Sequence, residues 1–112
     1  MRGRFYLALF HFQQAAEKAL KAYLYLKVKS VDVFYTHSLD ELIKMALETD
    51  PDFRAVEQVK KLDKYYIPTR YPHGLPGGVP SRYFDDPREA EEAKQLAESL
   101  IKTVERKIKE IS

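Results

Sequence analysis

Hydrophobic residues recur at intervals of three and four along the first quarter of the chain. Between residues 3 and 28 this spacing is typical of one face of a helix. The recurring apolar positions are Phe5, Leu9, Phe12, Ala16, Ala19, Tyr23 and Leu26. Polar residues fall mainly on the other side, and we expect them to face solvent: Gln13, Gln14, Glu17, Lys18 and Lys21. Glu17 and Lys21 have the spacing of an i,i+4 ion pair.

Two further helices are predicted in the middle of the chain. Ser38 and Glu41 fit a capping box at the start of the second helix, and Thr36 is an alternative N-cap. Its apolar stripe is Leu39, Leu42, Ile43, Ala46 and Leu47. Asp50 and Pro51 predict the cap and the first turn of a third helix, which Pro68 ends. The inward positions expected on the third helix are Phe53, Val56, Val59, Leu62 and Tyr66.

A last helix is predicted to start with Asp86 as its cap and Pro87 in its first turn. Its apolar stripe is Ala90, Ala93, Ala97, Leu100, Val104, Ile108 and Ile111. Residues 67–85 are rich in proline and glycine, which is typical of a loop. We therefore predict an all-α fold, an antiparallel up-down bundle of about four helices with one long loop, as a single domain over residues 1–112.

Composition and charge narrow the classes of function. The chain has 112 residues and no cysteine, which excludes disulfides and cysteine-ligated metals and favours a cytoplasmic location. No apolar run approaches the ~20 residues of a membrane span, so no membrane partner is predicted. Residues 1–35 carry six basic and two acidic groups, and residues 60–88 carry six and three. These basic blocks are either ordinary solvated lysines or one face that attracts phosphate or an acidic partner.

The segment YIPTRYPHGLPGG, residues 66–78, concentrates chemically capable side chains outside the predicted helices. Arg70 has a planar donor fork that suits phosphate, and Tyr66 and Tyr71 have faces on which a base can stack. His73 can donate to a phosphate or transfer a proton near neutral pH. These four residues form a candidate site for a nucleotide or an RNA end. The alternative is that Arg70 and the tyrosines only close the end of the bundle.

The three histidines do not form a metal-binding motif, because residues 11, 37 and 73 lack any regular ligand spacing. His37 is expected to make local hydrogen bonds at a helix start, and His11 to lie in the core or an interface. No P-loop, GxGxxG or Ser-His-Asp arrangement is present. The sequence therefore predicts neither a metal nor a cofactor.

Three stretches together resemble the HEPN domain family: FHFQQAAEKALKAYL at 10–24, THSLDEL at 36–42 and LDKYYIPTRYP at 62–72. The resemblance implies an all-helical, usually dimeric bundle. Many such domains are encoded beside a minimal nucleotidyltransferase and act with it in two-component or toxin–antitoxin systems. It therefore implies a homodimeric binding module, with that nucleotidyltransferase and a nucleotide or RNA as possible partners.

Other members of the family are metal-independent ribonucleases with an Arg-x4–6-His motif. Here Arg70 and His73 are separated by only two residues. This departure favours the binding module over an enzyme. The alternative is a ribonuclease toxin in which Arg70 and His73, doubled across a dimer, are the catalytic residues. The family also usually has a further helix ahead of the first one predicted here, so an unmatched aromatic face around Phe5, Leu9 and Phe12 is expected to pair with a second copy.

Overall fold

The computed structural model describes residues 2–29, 31–66 and 87–111, with side chains from residue 7 onward. The described ranges contain three α-helices and two 3₁₀ segments and no strand: α1 Arg2–Val28, η1 Asp32–Tyr35, α2 Leu39–Thr49, η2 Pro51–Tyr65 and α3 Pro87–Ile111. The predicted all-α helical bundle is confirmed. In these ranges, no helix combines the length and the apolar character needed to cross a membrane.

The apolar stripes of the helices meet in one core. Its buried residues are Leu9, Ala16, Leu20, Tyr23, Leu24, Val33, Leu39, Leu42, Ile43, Ala46, Phe53, Val56, Val59, Leu62, Tyr65, Ala93, Ala97, Leu100 and Val104. Leu9 is fully buried and Phe12 packs against this core, so both are covered within one chain. The side chain of Phe5 lies outside the described residues. The expectation of an unmatched aromatic face is therefore wrong for Leu9 and Phe12.

Local capping begins α2 and η2 where the sequence predicts. The Oγ of Ser38 accepts from the backbone N–H of Glu41 at 3.2 Å, and the carboxylate of Asp50 accepts from Asp52 N at 2.9 Å. Each cap satisfies a backbone donor that has no partner inside its helix. The side chain of Glu41 accepts from the Oγ1 of Thr36 at 2.9 Å, so only half of the predicted capping box forms. Asp86, the predicted cap of the last helix, lies outside the described residues.

The third helix differs from the prediction because its turns are tighter. Five apolar residues at intervals of three are buried along η2: Phe53, Val56, Val59, Leu62 and Tyr65. The backbone leaves helical geometry at Val56 (φ −118°, ψ 17°), so η2 consists of two helical stretches joined by a kink. Within a 3₁₀ stretch, residues three apart lie on one face. The prediction of Tyr66 as the last inward residue is wrong: Tyr65 takes that place, and Tyr66 is half-buried after the end of η2.

The prediction for the polar side of α1 is also wrong. Gln13, Glu17 and Lys21 were expected to face solvent, but they are buried, while Leu26 on the predicted apolar face is exposed. The reason is that α1 contacts α2, α3, η1 and η2, so more than one of its sides is covered. His11 is exposed rather than part of the core.

Candidate functional site

A row of three buried polar side chains runs along α1. Gln13, Glu17 and Lys21 are 0 %, 4 % and 9 % exposed and follow one another at intervals of four, which places them on one side of the helix. The Nε2 of Gln13 donates to the Oε1 of Glu17 at 3.1 Å, and the Nζ of Lys21 donates to the Oε2 of Glu17 at 2.7 Å. The carboxylate of Glu17 is thus the common acceptor of the row.

His37 joins this row from the segment between η1 and α2. Its Nδ1 lies 3.1 Å from the Oε2 of Glu17, and its backbone carbonyl accepts from the Nε2 of Gln13 at 3.4 Å. The expectation that His37 makes local hydrogen bonds is wrong for its ring, whose partner is 20 residues away in the sequence. Glu17 and Gln13 therefore connect α1 to the start of α2.

The hydrogen bonds to Glu17 keep it ionised. Burial alone would raise the pKa of the Glu17 carboxyl, but the hydrogen bonds from Lys21, His37 and Gln13 outweigh that effect and hold the pKa below its usual value. A buried carboxylate with this many donors has its charge and its lone pairs satisfied. Glu17 is consequently a fixed negative charge at neutral pH.

Tyr66, the first residue of the segment with the predicted binding residues, stacks on His37. Their ring centroids are 4.8 Å apart and the ring planes differ by 18°. The backbone places Tyr66 there, because its N–H donates to the carbonyl of Asp63 at 3.1 Å and its own φ and ψ are extended, at −68° and 131°. Tyr65 serves a different purpose, since it is buried and its hydroxyl donates to Glu89 on α3.

The carboxylate of Asp63, in η2, caps the N-terminus of α2. It accepts from the backbone N–H groups of Leu39 and Asp40 at 2.6 and 3.0 Å and from the Oγ of Ser38 at 3.4 Å. The N-terminus of a helix favours a negative group, and here a carboxylate of the same chain is that group. This helix end is therefore not open to a phosphate.

His37, Ser38, Asp63 and Tyr66 line an open cavity of about 340 Å³. We refer to these four residues as the His37–Tyr66 site. The volume falls within the range of ~300–1,000 Å³ that is usual for small-molecule sites. The site combines an aromatic stack, a hydroxyl and an imidazole next to a network whose carboxylates are already satisfied.

A second cavity, of about 450 Å³, lies between the end of η2 and the start of α3. Its polar lining consists of Lys61, Lys64, Tyr65, Arg88, Glu89 and Glu92. Lys64 lies 3.7 Å from Glu89, and burial together with the hydrogen bond to Glu89 raises the pKa of Tyr65. The two carboxylates offset most of the positive charge here, which makes this cavity a weaker candidate for an anion.

Of the four residues predicted to bind a ligand, only Tyr66 falls within the described ranges. Arg70, Tyr71 and His73 lie outside them. The predicted ion pair of Glu17 with Lys21 is confirmed. Its burial and the contact of Glu17 with His37 were not predicted, because a glutamate beside lysines resembles a solvated pair. The one sequence signal for this contact was the position of His37, directly before the Ser38 cap in a short segment whose neighbouring residues cannot bury the ring.

A family model for the HEPN domain matches residues 1–107. The chain belongs to the HEPN domain family. This match confirms the resemblance carried by the first helix, the THSLDEL stretch and the LDKYYIPTRYP stretch, and it relates the chain to nucleotide and RNA functions. No curated protein and no solved structure matches the chain. Within this HEPN domain, two of the three matching stretches contribute His37 and Tyr66 to the site.

Proposed function

We propose that this HEPN domain is a nucleotide- or RNA-binding module whose ligand-binding residues are Tyr66, Arg70, Tyr71 and His73. The observation that carries the proposal is the stack of Tyr66 on His37 at the edge of a cavity. An aromatic ring that is held in place at an open cavity suits a nucleobase, because stacking does not depend on the identity of the base. A ring fixed before binding also loses little conformational entropy when the ligand arrives.

The residues that follow Tyr66 supply the charge that a nucleotide requires. Arg70 comes four residues later, so the chain alone keeps the two Cα atoms within about 14 Å of each other. A guanidinium contacts a phosphate through two parallel N–H donors, which a lysine cannot do. A base on Tyr66 and a phosphate on Arg70 are compatible with the size of a mononucleotide.

We further propose that the domain acts with a minimal nucleotidyltransferase in a two-component or toxin–antitoxin system, and that it does so in the cytoplasm. The support is the family itself and the separation of Arg70 from His73 by only two residues, which departs from the ribonuclease motif. Co-purification of the chain with the product of a neighbouring nucleotidyltransferase gene would support this. A chain encoded without any such neighbour would count against it.

A homodimer is the remaining part of the proposal. HEPN domains commonly dimerise. Large apolar side chains are exposed where α1 ends and η1 follows: Tyr25, Leu26, Val28, Val31, Phe34 and Tyr35. Tyr25 and Phe34 pack their rings against each other, and a cluster of exposed apolar side chains on a small protein suits an interface. This patch, rather than Leu9 and Phe12, is the surface that we propose for the second copy.

Nucleotide binding tests the proposed function through Arg70. Calorimetric titration of the native chain with a mononucleotide and with a short RNA should show binding that weakens with salt, because phosphate contacts release counterions. Arg70→Ala should weaken binding by about tenfold or more, and Arg70→Lys by less, since lysine keeps the charge but loses the fork. An Arg70→Ala variant that melts early yet binds normally would make Arg70 a structural residue.

The ribonuclease alternative is tested with the same proteins. RNA is incubated with the native chain in the presence of a metal chelator, and with Arg70→Ala as the control. Cleavage that depends on Arg70 would assign the site to catalysis and overturn the binding-module assignment. Intact RNA together with measurable binding is the result that we expect.

A further inference from the structure

We propose that His37 is a proton-dependent anion-binding residue, which Glu17 orients so that the Nε2 of the imidazole binds the phosphate group of the ligand. This inference rests on the proposed function for the identity of the ligand as a nucleotide or RNA. It assigns a role to His37, a residue that the sequence places in a helix-start turn.

The orientation of the ring follows from its contact with Glu17. The Nδ1 of His37 lies 3.1 Å from the Oε2 of Glu17, and an ionised carboxylate can only accept a hydrogen bond. The Nδ1 therefore carries a proton in every state that keeps this contact. Since Glu17 is 4 % exposed and also accepts from Gln13 and Lys21, it holds a fixed position from which it fixes the imidazole.

The opposite nitrogen is the one available to a ligand. The side chain of His37 is 51 % exposed, and one face of its ring is covered by Tyr66. Within the described residues, no hydrogen bond reaches the Nε2. A neutral imidazole with its proton on Nδ1 has only a lone pair at Nε2, whereas an imidazolium donates from both nitrogens. His37 can therefore donate to an anion only when it has taken up a second proton.

The charged groups around His37 belong to α1, η2 and α2. On α1, the negative charge of Glu17 is balanced by Lys21 at 2.7 Å. In η2, the carboxylate of Asp63 accepts hydrogen bonds from backbone N–H groups at the N-terminus of α2. In the first turn of α2, the carboxylate of Glu41 accepts a hydrogen bond from the hydroxyl of Thr36. The donors to Asp63 and Glu41 are neutral and leave their negative charges in place, so protonation of His37 offsets one negative charge at the edge of the cavity, next to the aromatic face of Tyr66. An imidazolium stacked on a tyrosine ring is itself favoured by the cation–π interaction.

A purely structural role of His37 would require fewer contacts than anion binding does. A histidine that only joins α1 to α2 needs the Nδ1 contact and the backbone carbonyl contact, but it has no use for the Nε2. Asparagine matches the position of Nδ1, and glutamine matches the position of Nε2. His37→Asn and His37→Gln are therefore a matched pair that separates the two nitrogens.

Sulfate is the probe for the anion, because its charge stays constant between about pH 5 and pH 8, where an imidazole titrates. Sulfate is added to the native chain at constant ionic strength, and the ring nitrogens of the histidines are followed by NMR. We expect a saturable shift of the His37 Nε2 resonance at the acidic end. The affinity should fall as the pH rises from 5 to 8, because each bound anion requires one bound proton.

The variants decide whether the Nε2 is responsible. His37→Asn should retain the melting temperature of the native chain and lose sulfate binding at least tenfold at acidic pH. His37→Gln should be less stable but bind sulfate weakly and without pH dependence. Native-like, pH-dependent binding by His37→Asn, or no sulfate shift at His37 in the native chain, would overturn the proposal.

Nucleotides then identify the phosphate and keep the two proposals apart. Adenosine monophosphate is compared with adenosine and with an oligoribonucleotide that lacks terminal phosphates, so that a terminal and a backbone phosphate are distinguished. Nucleotide binding that depends on Arg70 but leaves His37 unshifted would overturn only the role of His37. A sulfate shift at His37 without any nucleotide binding would overturn only the proposed function.

Discussion

The Nζ of Lys107 lies 2.7 Å from the carboxylate of Asp50 and joins the end of α3 to the junction of α2 and η2. Lys107 is buried, and Asp52 accepts from it as well at 2.6 Å. Asp50 also caps η2, so one carboxylate serves both a helix start and a long-range ion pair. Sequence separation of more than fifty residues makes this contact a clamp between the two halves of the described bundle.

The first prediction separates these two roles of Asp50. Asparagine is as good an N-cap as aspartate, so Asp50→Asn should retain the cap and lose only the ion pair. Asp50→Ala should lose both and be less stable than Asp50→Asn by about 1 kcal/mol, the usual value of a cap. Urea denaturation of the two variants measures this difference. Equal stabilities would show that the cap contributes nothing.

The contribution of Asp50 should also depend on pH. The hydrogen bond from Lys107, together with the backbone N–H of Asp52, holds the pKa of Asp50 below its ordinary value of 3.8. A depressed pKa means that the stabilisation is complete above pH 3.8 and is lost as the pH falls through the lower, folded value. The melting temperatures of the native chain and of Asp50→Asn should therefore differ at pH 7 and converge in strong acid. A constant difference across this range would contradict the assignment.

A second prediction concerns the buried pair of Glu17 and Lys21. Removal of one partner leaves the other charge buried and unpaired, which costs about 3–5 kcal/mol, whereas removal of both costs less. Glu17→Gln and Lys21→Met should each destabilise the chain, and the double variant should be more stable than the sum of the two effects predicts. A double-mutant cycle by chemical denaturation measures this coupling. Strict additivity would indicate that the pair is solvated, as the sequence pattern had predicted.

The end of α1 provides a prediction in the stabilising direction. Lys29 has a φ of 63°, and its N–H donates to the carbonyl of Tyr25 at 3.0 Å, so a residue with a Cβ occupies the left-handed region at a helix end. Lys29→Gly should raise the free energy of unfolding by about 1 kcal/mol, because glycine has no Cβ penalty there. Lys27→Gly is the matched control inside the last turn of α1 and should lower it by a similar amount. A loss of stability in both variants would contradict the left-handed conformation.

The exposed patch leads to a prediction about the oligomer. Phe34 and Tyr35 are 50 % and 82 % exposed, and Phe34 packs its ring 5.7 Å from Tyr25. Phe34→Glu should convert a dimer to a monomer in sedimentation velocity without a change in helical content, since the side chain contributes little to the core of one chain. Leu7→Glu, at the other end of α1, is the control and should remain dimeric. A native chain that is monomeric at micromolar concentration would contradict the proposed interface.

The sequence predicted those parts of the fold that depend on neighbouring residues. Ser38 and Asp50 were correct as caps because a cap needs only the next two or three residues. Tyr66 was wrong as an inward residue because the spacing of three continues past Leu62 and turns Tyr65 inward, where an α-helical spacing of four favoured Tyr66. The Glu17–Lys21 pair was predicted correctly because its partners are four residues apart. The contact of Glu17 with His37 was missed because it spans 20 residues, and nothing local distinguishes a buried glutamate from a solvated one. Arg70, Tyr71 and His73 stay predictions, since they lie outside the described residues.

The most direct test of the central claim is a map of nucleotide binding by NMR on the isotopically labelled chain. Adenosine monophosphate should shift the ring resonances of Tyr66 and His37 in a saturable manner. The cavity beside Asp50 and Lys107 and the cavity beside Lys61 are internal controls and should not respond. Shifts confined to either control cavity would contradict the assignment of the His37–Tyr66 site. The absence of a shift at Tyr66 while the nucleotide saturates another site on the chain would contradict it as well.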